Sequence, residues 1–395
     1  MAAPLKDITV LSFGRMLSGP YASMLLSDLG AKVIKIEAPG TGDLSRFAKP
    51  EYNGTSSYFL SINRGKKSMA LDLKNEKARE IIFALIKKVD ILLENFRPGV
   101  MDRLGLSYDT AKKLNPKIIY ASISGFGQKG PYAQKPAFDM IAQGMGGLLS
   151  MTGHPDGPPA RSGYSIGDIG ASLFASTAIL AALHERNISG EGQWIDISML
   201  DCQVALGENA CSRHFATGEI PQPLGSRHPL FTPFEAFPTK DGYIILIIMK
   251  ENDWDKFCKA ADKIDWINNE KFNTLEARLE NYDLFLSEMN QLTRSKSTEQ
   301  WIKLCEENAL MCGPVNNIKQ VINDKHILER DMVLEVQNKN DDIFKVVGTP
   351  MKFSKTPCEI NKASPELGEN TEEILSNMLG MSEEKIQKLR DLKVI

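Results

Sequence analysis

The sequence predicts an α/β fold followed by a smaller second unit, and three observations carry that prediction. The first half alternates short β-branched runs with stretches of helical periodicity. A Pro- and Gly-rich stretch, ATGEIPQPLGSRHP, then interrupts the pattern, and a hairpin signal with amphipathic helices follows it. In order, Ile8 to Phe13 reads as a strand, Tyr21 to Leu29 as a helix and Lys32 to Ile36 as a second strand. Further cycles pair MALDL with KAREIIFALIKKV and ILLENF with MDRLGLSYDTAKKL, and the strand KIIYASI closes the series. Strands and helices in this alternation build a twisted, largely parallel sheet. Ile166 to His184 has apolar positions at helical spacing, and GQWIDISML supplies another strand. FTPFEAFPTKDGYIILII reads as a hairpin turning at Lys240-Asp241-Gly242. The tail carries two strand candidates, MVLEVQ and FKVVGTPM, and two terminal helices, with no internal repeat. The expected division is a large domain over 1–200, a linker over 201–228, a small domain over 229–325 and a C-terminal segment over 326–395.

Composition bounds the function. With 42% hydrophobic and 25% charged residues in 395, fibrous and disordered classes are excluded and two buried cores are affordable. MAAPLKDITVLSF lacks the basic and apolar regions of a leader, and no uninterrupted apolar run reaches the roughly 18 residues of a membrane span. A cytoplasmic protein without a membrane partner is expected. Six cysteines without a CxxC pair and five histidines without HExxH predict reduced thiols and no metal site. A net charge of -3 with a pI near 6.1 argues against nucleic acid as a partner. Any anionic ligand must be held by local basic groups.

Three motifs compete for the chemistry. GFGQKG (Gly125 to Gly130) matches G-x-G-x-x-G after a strand, but a dinucleotide fingerprint needs its glycines to open a helix, and Pro131 continues the loop. Gly163 to Gly167 matches G-x-S-x-G, yet a nucleophile elbow needs a buried strand before Ser165, and GHPDGPPARSGY is loop. Ser165 then reads as a hydroxyl that helps cap the next helix. Asp168 sits in the first turn of that helix, where the macrodipole favours a carboxylate by about 0.3–1 kcal/mol and keeps it ionised. Gly167 and Gly170 would let a carbonyl approach and find backbone N–H groups for an oxyanion. On these residues alone, a plain helix-capping aspartate is the commoner outcome.

The surrounding segments resolve the choice. The run from Ser12 to Ala22 (SFGRMLSGPYA), DLGAKVIKIEAPGTGD, NRGKKSMALDLK, LLENFRPGV, GFGQKGP and GDIGAS occur in this order, and GPVNNIKQV and SPELGENTEEIL follow. Together they closely resemble the family III CoA-transferases, which include formyl-CoA and carnitine CoA-transferases, and the likeness covers essentially the whole chain. The resemblance implies a large Rossmann-like α/β domain completed by the C-terminal segment, a smaller α+β domain between, and an interlocked homodimer. It implies that Asp168 is the nucleophile, attacking an acyl-CoA to give an aspartyl anhydride and then an aspartyl-CoA thioester, which a carboxylic acid displaces. Coenzyme A is then a substrate, and no cofactor or metal is expected. The resemblance places coenzyme contacts at Arg15, Met16, Ser18, Pro20, Leu73, Lys74, Asn95, Phe96, Arg97, Val100 and Arg103. Backbone N–H groups of Met16 to Gly19 would face a phosphate at a helix N-terminus. Lys66-Lys67 is a further candidate for the coenzyme, although such a charged pair more often marks a solvated face, and Glu37 and Glu94 read as structural ends of strands.

Two departures refine the expectation. Where formyl-CoA transferase has a tyrosine and a glutamate, this chain has Phe138-Asp139; Asp139 is the counterpart of the glutamate. The related α-methylacyl-CoA racemases carry a His-Asp pair there, and Phe138 cannot move a proton, so a racemase is the lesser alternative and a serine hydrolase using Ser165 the alternative of another class. GSRHPLFTPFEAF also lacks the glycine tetrad of formyl-CoA transferase and looks nearer to the branch acting on dicarboxylic acyl groups. Arg161, Arg213, His214 and His228 are candidates for anchoring a second carboxylate, although such residues more often serve in surface ion pairs.

Overall fold

Six strands, β1 (Thr9–Ser12), β2 (Lys32–Glu37), β3 (Lys67–Ala70), β4 (Ile91–Glu94), β5 (Ile119–Ser124) and β6 (Trp194–Ser198), form one sheet in the order β3-β2-β1-β4-β5-β6. Every pairing is parallel. That order reverses direction between β1 and β4, and in doubly wound folds the crevice outside the C-terminal ends of the strands at such a switch point collects ligands. The computed structural model describes residues 3–395. Its chain divides into two units, one of the residues up to 148 with 161–219 and 325–395, the other of 149–160 with 220–324.

Helices cover both faces of the sheet, as parallel strands buried on two sides require. The helices are α1 (Ser18–Asp28), α2 (Ser57–Asn63), α3 (Glu76–Ile86), α4 (Tyr108–Leu114), α5 (Asp139–Met145), α6 (Ile166–Ser189), α7 (Met199–Leu206) and α8 (Glu208–Thr217), besides shorter turns. On one face, Leu11 and Ile34 of the sheet pack with Ile82 and Leu85 of α3, Ala111 of α4, and Ile374 and Leu389 of the two terminal helices. On the other, Val10, Leu93 and Ile123 pack with Ala22 and Leu26 of α1 and Ala171, Ala175 and Ile179 of α6. Small residues let α6 approach α1 closely: the Ser172 hydroxyl donates to the Ser18 carbonyl at 2.7 Å and the Ser176 hydroxyl to that of Ala22 at 3.4 Å. α6 is long and apolar enough to cross a membrane, but half of its most apolar window is buried within the protein, as in a core helix.

The second unit is built on a three-stranded antiparallel sheet of Phe234–Pro238, Tyr243–Ile247 and Met311–Pro314. The hairpin turn falls where the sequence puts it, with the Thr239 N–H donating to the Gly242 carbonyl at 2.9 Å and the Asp241 carboxylate accepting from the Thr298 N–H at 2.8 Å. Its core is aromatic, with Phe237, Trp254, Phe257, Phe285 and Trp301 fully buried.

Three sequence boundaries shift. The stretch read as a linker over 201–228 holds most of α7 and all of α8, because the real break is Gly218 at φ +73°, which caps α8. Residues 149–160, read as part of the large domain, belong to the second unit. MDRLGLSYDTAKKL is not one helix: Gly105 at φ +72° separates the turn Val100–Arg103 from α4, which Ser107 caps anew.

Two glycines before β6 separate a conformational from a steric requirement. A Cβ on Gly192 would lie 2.0 Å from the Ile118 carbonyl oxygen, whereas Gly190 has open space but φ +79°. Gly192→Ala is expected to lower unfolding stability by about 3 kcal/mol through overpacking, and Gly190→Ala by about 1–2 kcal/mol through backbone strain; urea titration of the two variants checks the order.

Candidate active site

Two loops meet at the switch point, Gly14 to Leu17 after β1 and Asn95 to Pro98 after β4. The Asn95 side chain joins them: its Oδ1 accepts from the Arg15 N–H at 2.8 Å, and its Nδ2 donates to the Arg15 carbonyl at 2.9 Å and to Ser18 Oγ at 3.0 Å. Gly14 and Gly19 lie against each other, and a Cβ on Gly14 would stand 2.8 Å from the Gly19 carbonyl carbon. Met16 adopts φ +58°, a conformation costly for a residue with a side chain. Its N–H donates to Asp43 Oδ1 at 3.2 Å. Lys35 holds the same loop from beneath, donating to the Gly14 carbonyl at 2.6 Å and to Asp43 Oδ2 at 2.7 Å. Burial alone would raise the Asp43 carboxyl, but the Lys35 ammonium and the N–H groups of Ser45 and Met16 more than offset it, so it lies below the ordinary carboxylate range.

Other buried charges brace the same end of the sheet. Glu37 takes Arg46 Nε and Nη2 at 2.8 and 2.7 Å and the Ser68 hydroxyl at 2.6 Å. Glu94 accepts the Phe96 N–H at 2.7 Å, and burial pushes its carboxyl up to about 7. Lys66 is not the solvated residue the sequence suggested: it is buried and donates to the carbonyls of Pro20 and Ile62 at 2.7 and 2.9 Å and to Asn63 Oδ1 at 2.9 Å. Burial, with the charge of Lys35, holds its pKa well below the usual lysine value. Lys67 pairs with Glu373.

Asp168 lies half-buried in the first turn of α6, and the cap of that helix differs from expectation. Ser165 occupies the N-cap position without a capping hydrogen bond; its hydroxyl accepts from Arg161 Nη2 at 3.0 Å. The cap comes from Asp139 of α5, whose Oδ1 accepts the N–H of Gly167 at 2.8 Å and that of Asp168 at 3.4 Å. Gln143 Nε2 secures Asp139 Oδ2 at 2.8 Å, and Arg161 Nη2 stands 3.7 Å from it. The open glycine approach and free N–H groups expected beside Asp168 are therefore already taken. A Cβ on Gly167 would lie 2.9 Å from Asp139 Oδ1, and one on Gly170 would lie 3.0 Å from Leu206 Cδ1. Burial raises the Asp168 carboxyl, the Asp139 charge raises it further, and the hydroxyl and backbone of Ser18 pull it back, leaving it at about 6. It remains largely ionised at neutral pH, with a much narrower margin than a dipole alone would give.

A cavity of about 220 Å³ brings these pieces together. Of the sequence-predicted residues, Arg15, Met16, Ser18, Asn95, Phe96, Arg97, Phe138, Asp139 and Asp168 line it, while Pro20, Leu73, Lys74, Val100 and Arg103 do not. Pro20 is buried in α1; Leu73 packs on the core beneath α3; Lys74 and Arg103 are exposed. Tyr58 and Lys135 also line the cavity, and nothing in their local sequence marked them. Arg15 spreads over the Phe96 ring at 5.0 Å and Lys135 over the Tyr132 ring at 4.0 Å. Arg15, Arg97 and Lys135 give this acidic protein the local positive charge that an anionic ligand needs. No histidine lines the cavity. Among the proposed carboxylate anchors, Arg213 is taken by both oxygens of Glu219 at 3.0 Å, His214 by the Glu219 carbonyl at 2.9 Å, and Arg161 by Ser165 and Asp139. His228 lies in the second unit, stacked on Phe234 at 4.7 Å. GFGQKG stays a loop, with Gly127 and Gly130 at φ +81° and +102°.

A half-buried carboxylate facing a cavity lined by Arg15, Arg97 and Lys135 at the switch point of an α/β sheet suits a protein that takes an anionic ligand. The chain belongs to CoA-transferase family III, whose profile matches residues 5–371. It is 35% identical over 387 residues to a Succinate–glutarate CoA-transferase of Agrobacterium fabrum, covering 95% of this chain and 96% of the relative. It is 34% identical to the Succinyl-CoA:glutarate CoA-transferase of Homo sapiens, covering 99% and 90%. Among solved structures, a CAIB/BAIF family protein from Brucella suis superposes with a TM-score of 0.89 at 32% identity, covering 96% of this chain and all of that one.

The contact with Asp139 predicts a titration. Labelling of Asp168 by a diazo reagent, which requires the protonated carboxyl, should fall away with a midpoint near pH 6. Asp139→Asn keeps the capping oxygen and removes the charge that raises Asp168, so its midpoint should move to lower pH; peptide mapping across pH checks the direction.

Proposed function

We propose that the protein transfers CoA from an acyl-CoA donor to a carboxylic acid through covalent intermediates on Asp168, with dicarboxylic acyl groups as its substrates. The observation that carries this reading is the Asp168 carboxylate lining the cationic cavity with no histidine beside it. The carboxylate attacks the thioester carbonyl, the C–S bond breaks, and CoA leaves as thiolate, giving a mixed anhydride. The thiolate attacks the aspartyl carbonyl and expels the first acid. The acceptor carboxylate then displaces thiolate from the aspartyl thioester, and thiolate takes the new acyl group from the second anhydride, restoring Asp168. Each step exchanges one activated acyl bond for another, and no external base or resident cofactor is called upon. Water must be kept out, since it would hydrolyse either intermediate. Arg15, Arg97 and Lys135 meet the negative charge of the coenzyme at the cavity, and Lys74 and Arg103 meet it beyond.

The dicarboxylic preference rests on the relatives, whose names also include succinyl-CoA:mesaconate and succinyl-CoA–D-citramalate CoA-transferases. A hydrolase is disfavoured because the Ser165 hydroxyl is bound to Arg161, and a racemase because Phe138 carries no titratable group. The oligomer proposed is an interlocked homodimer. Leu173, Phe174 and Leu180 of α6, Leu206 of α7 and Phe215 of α8 are exposed, and a second copy would cover such an apolar surface. We place the protein in the cytoplasm.

With succinyl-CoA and glutarate, hydroxylamine should trap a hydroxamate on Asp168, found by peptide mass. Asp168→Ala should lower turnover by about 10³-fold or more, and turnover that survives it overturns the reading. Light scattering at micromolar concentration should give twice the chain mass, and Leu173→Glu with Phe215→Glu should shift the mass toward that of one chain.

A further inference from the structure

Resting on the transfer reading, one question is left by the geometry: attack of Asp168 on a thioester puts negative charge on the carbonyl oxygen, and that oxygen needs a hydrogen-bond donor. The N–H groups at the start of α6 are occupied by Asp139. Both N–H bonds of Asn95 go to Arg15 and Ser18. Tyr58 and Ser124 also line the cavity; the Ser124 hydroxyl has no hydrogen-bond partner, and that of Tyr58 makes no hydrogen bond among the described residues. Tyr58 stands in α2, set by the Ser56 cap on the Phe59 N–H at 3.2 Å. Tyr58 and Asp168 line the same cavity, where the negative charges of Asp168, Asp43 and Asp139 act on the phenol. Ser124, at the end of β5, lies beside Gly125 and Ser198 follows on the neighbouring strand.

We propose that the Tyr58 hydroxyl is a catalytic residue, donating a hydrogen bond to the oxyanion formed when Asp168 attacks the acyl carbonyl. The O–H bond stays intact throughout. The carbonyl π pair moves onto oxygen as the Asp168–carbon bond forms, then returns as the C–S bond breaks and sulfur leaves with its pair. Burial, followed by the charges of Asp168, Asp43 and Asp139, pushes the phenol up to about 12, so it remains a donor over the whole working range.

Tyr58→Phe keeps the ring and removes a hydroxyl that makes no other hydrogen bond among the described residues. The melting temperature should be unchanged, kcat should fall by about 10²–10³-fold, the loss typical of one oxyanion donor, and KM for succinyl-CoA should stay within about twofold. A kcat within about threefold of the parent, or a loss confined to KM, overturns the assignment; so does a kcat loss found in Ser124→Ala and not in Tyr58→Phe. Hydroxylamine trapping on the unaltered protein separates the two levels. A hydroxamate at Asp168 with a fully active Tyr58→Phe leaves transfer standing and removes Tyr58 from it, whereas no hydroxamate removes both.

Discussion

The seat of the Asp139 carboxylate on the first turn of α6 is the contact on which the site depends. A helix N-terminus presents unpaired N–H groups and the positive end of a dipole; left open, it would attract an anion and stabilise the charge of Asp168. Asp139 takes two of those N–H groups for itself and adds a negative charge beside Asp168. One residue thus terminates the helix, fixes the Asp168 backbone and reverses the electrostatic effect the helix would have had. Gln143 and Arg161 hold Asp139 in turn, and Gly167 is the residue whose missing side chain lets the carboxylate come so close.

The opposite wall depends on a chain of polar contacts that starts in the core. Lys35 and Asp43, each 1% exposed, are two charges that would be costly to bury singly. Together they supply an ammonium to the Gly14 carbonyl and a carboxylate to the Met16 N–H, holding Met16 in its left-handed conformation. Asn95 clamps the same loop from β4 and presents Ser18, whose hydroxyl reaches Asp168. The carboxylate is therefore fixed from two directions, by α5 through its backbone and by the first residue of α1 through its side chain.

Much of this was legible in the residues because the fold obeys local rules. The alternation of β-branched and helical segments marks six of the parallel strands, and LLENFRPGV and GDIGAS mark both the loop and the helix that face the cavity. What escaped the reading depends on contacts between distant segments. KVIKIE reads as a strand, but in a sheet covered on both faces a lysine and a glutamate at its end have nowhere solvated to go; that conflict was the available signal for the Lys35–Asp43 and Glu37–Arg46 pairs. Lys66 is buried for the same reason, since adjacent lysines imply solvent only where the backbone around them is exposed. Asp139 entered through family likeness, and its capping role did not show because a carboxylate 28 residues before the N–H it caps leaves no periodic trace. Tyr58 had no trace either: a cavity wall assembled from several distant helices, loops and a strand end is not a property of any one of them.

The raised basicity of Asp168 has a chemical consequence in the proposed exchange. In a mixed anhydride, an incoming thiolate divides the two acyl halves by expelling the less basic carboxylate. An ordinary carboxylic acid has a pKa of about 4–5, whereas the environment of Asp168 pushes its carboxyl up to about 6. Attack at the aspartyl carbonyl then expels the substrate acid more readily than attack at the substrate carbonyl expels Asp168. In the proposed exchange that preference would pass CoA to Asp168, freeing the first acid to leave and the second to enter. An aspartate stabilised by an unoccupied helix terminus would have the opposite bias and would tend to return the coenzyme to the acyl group it came from. Seen in this way, the burial and the neighbouring charge of Asp139 favour exchange between acids over idle reversal of the first step.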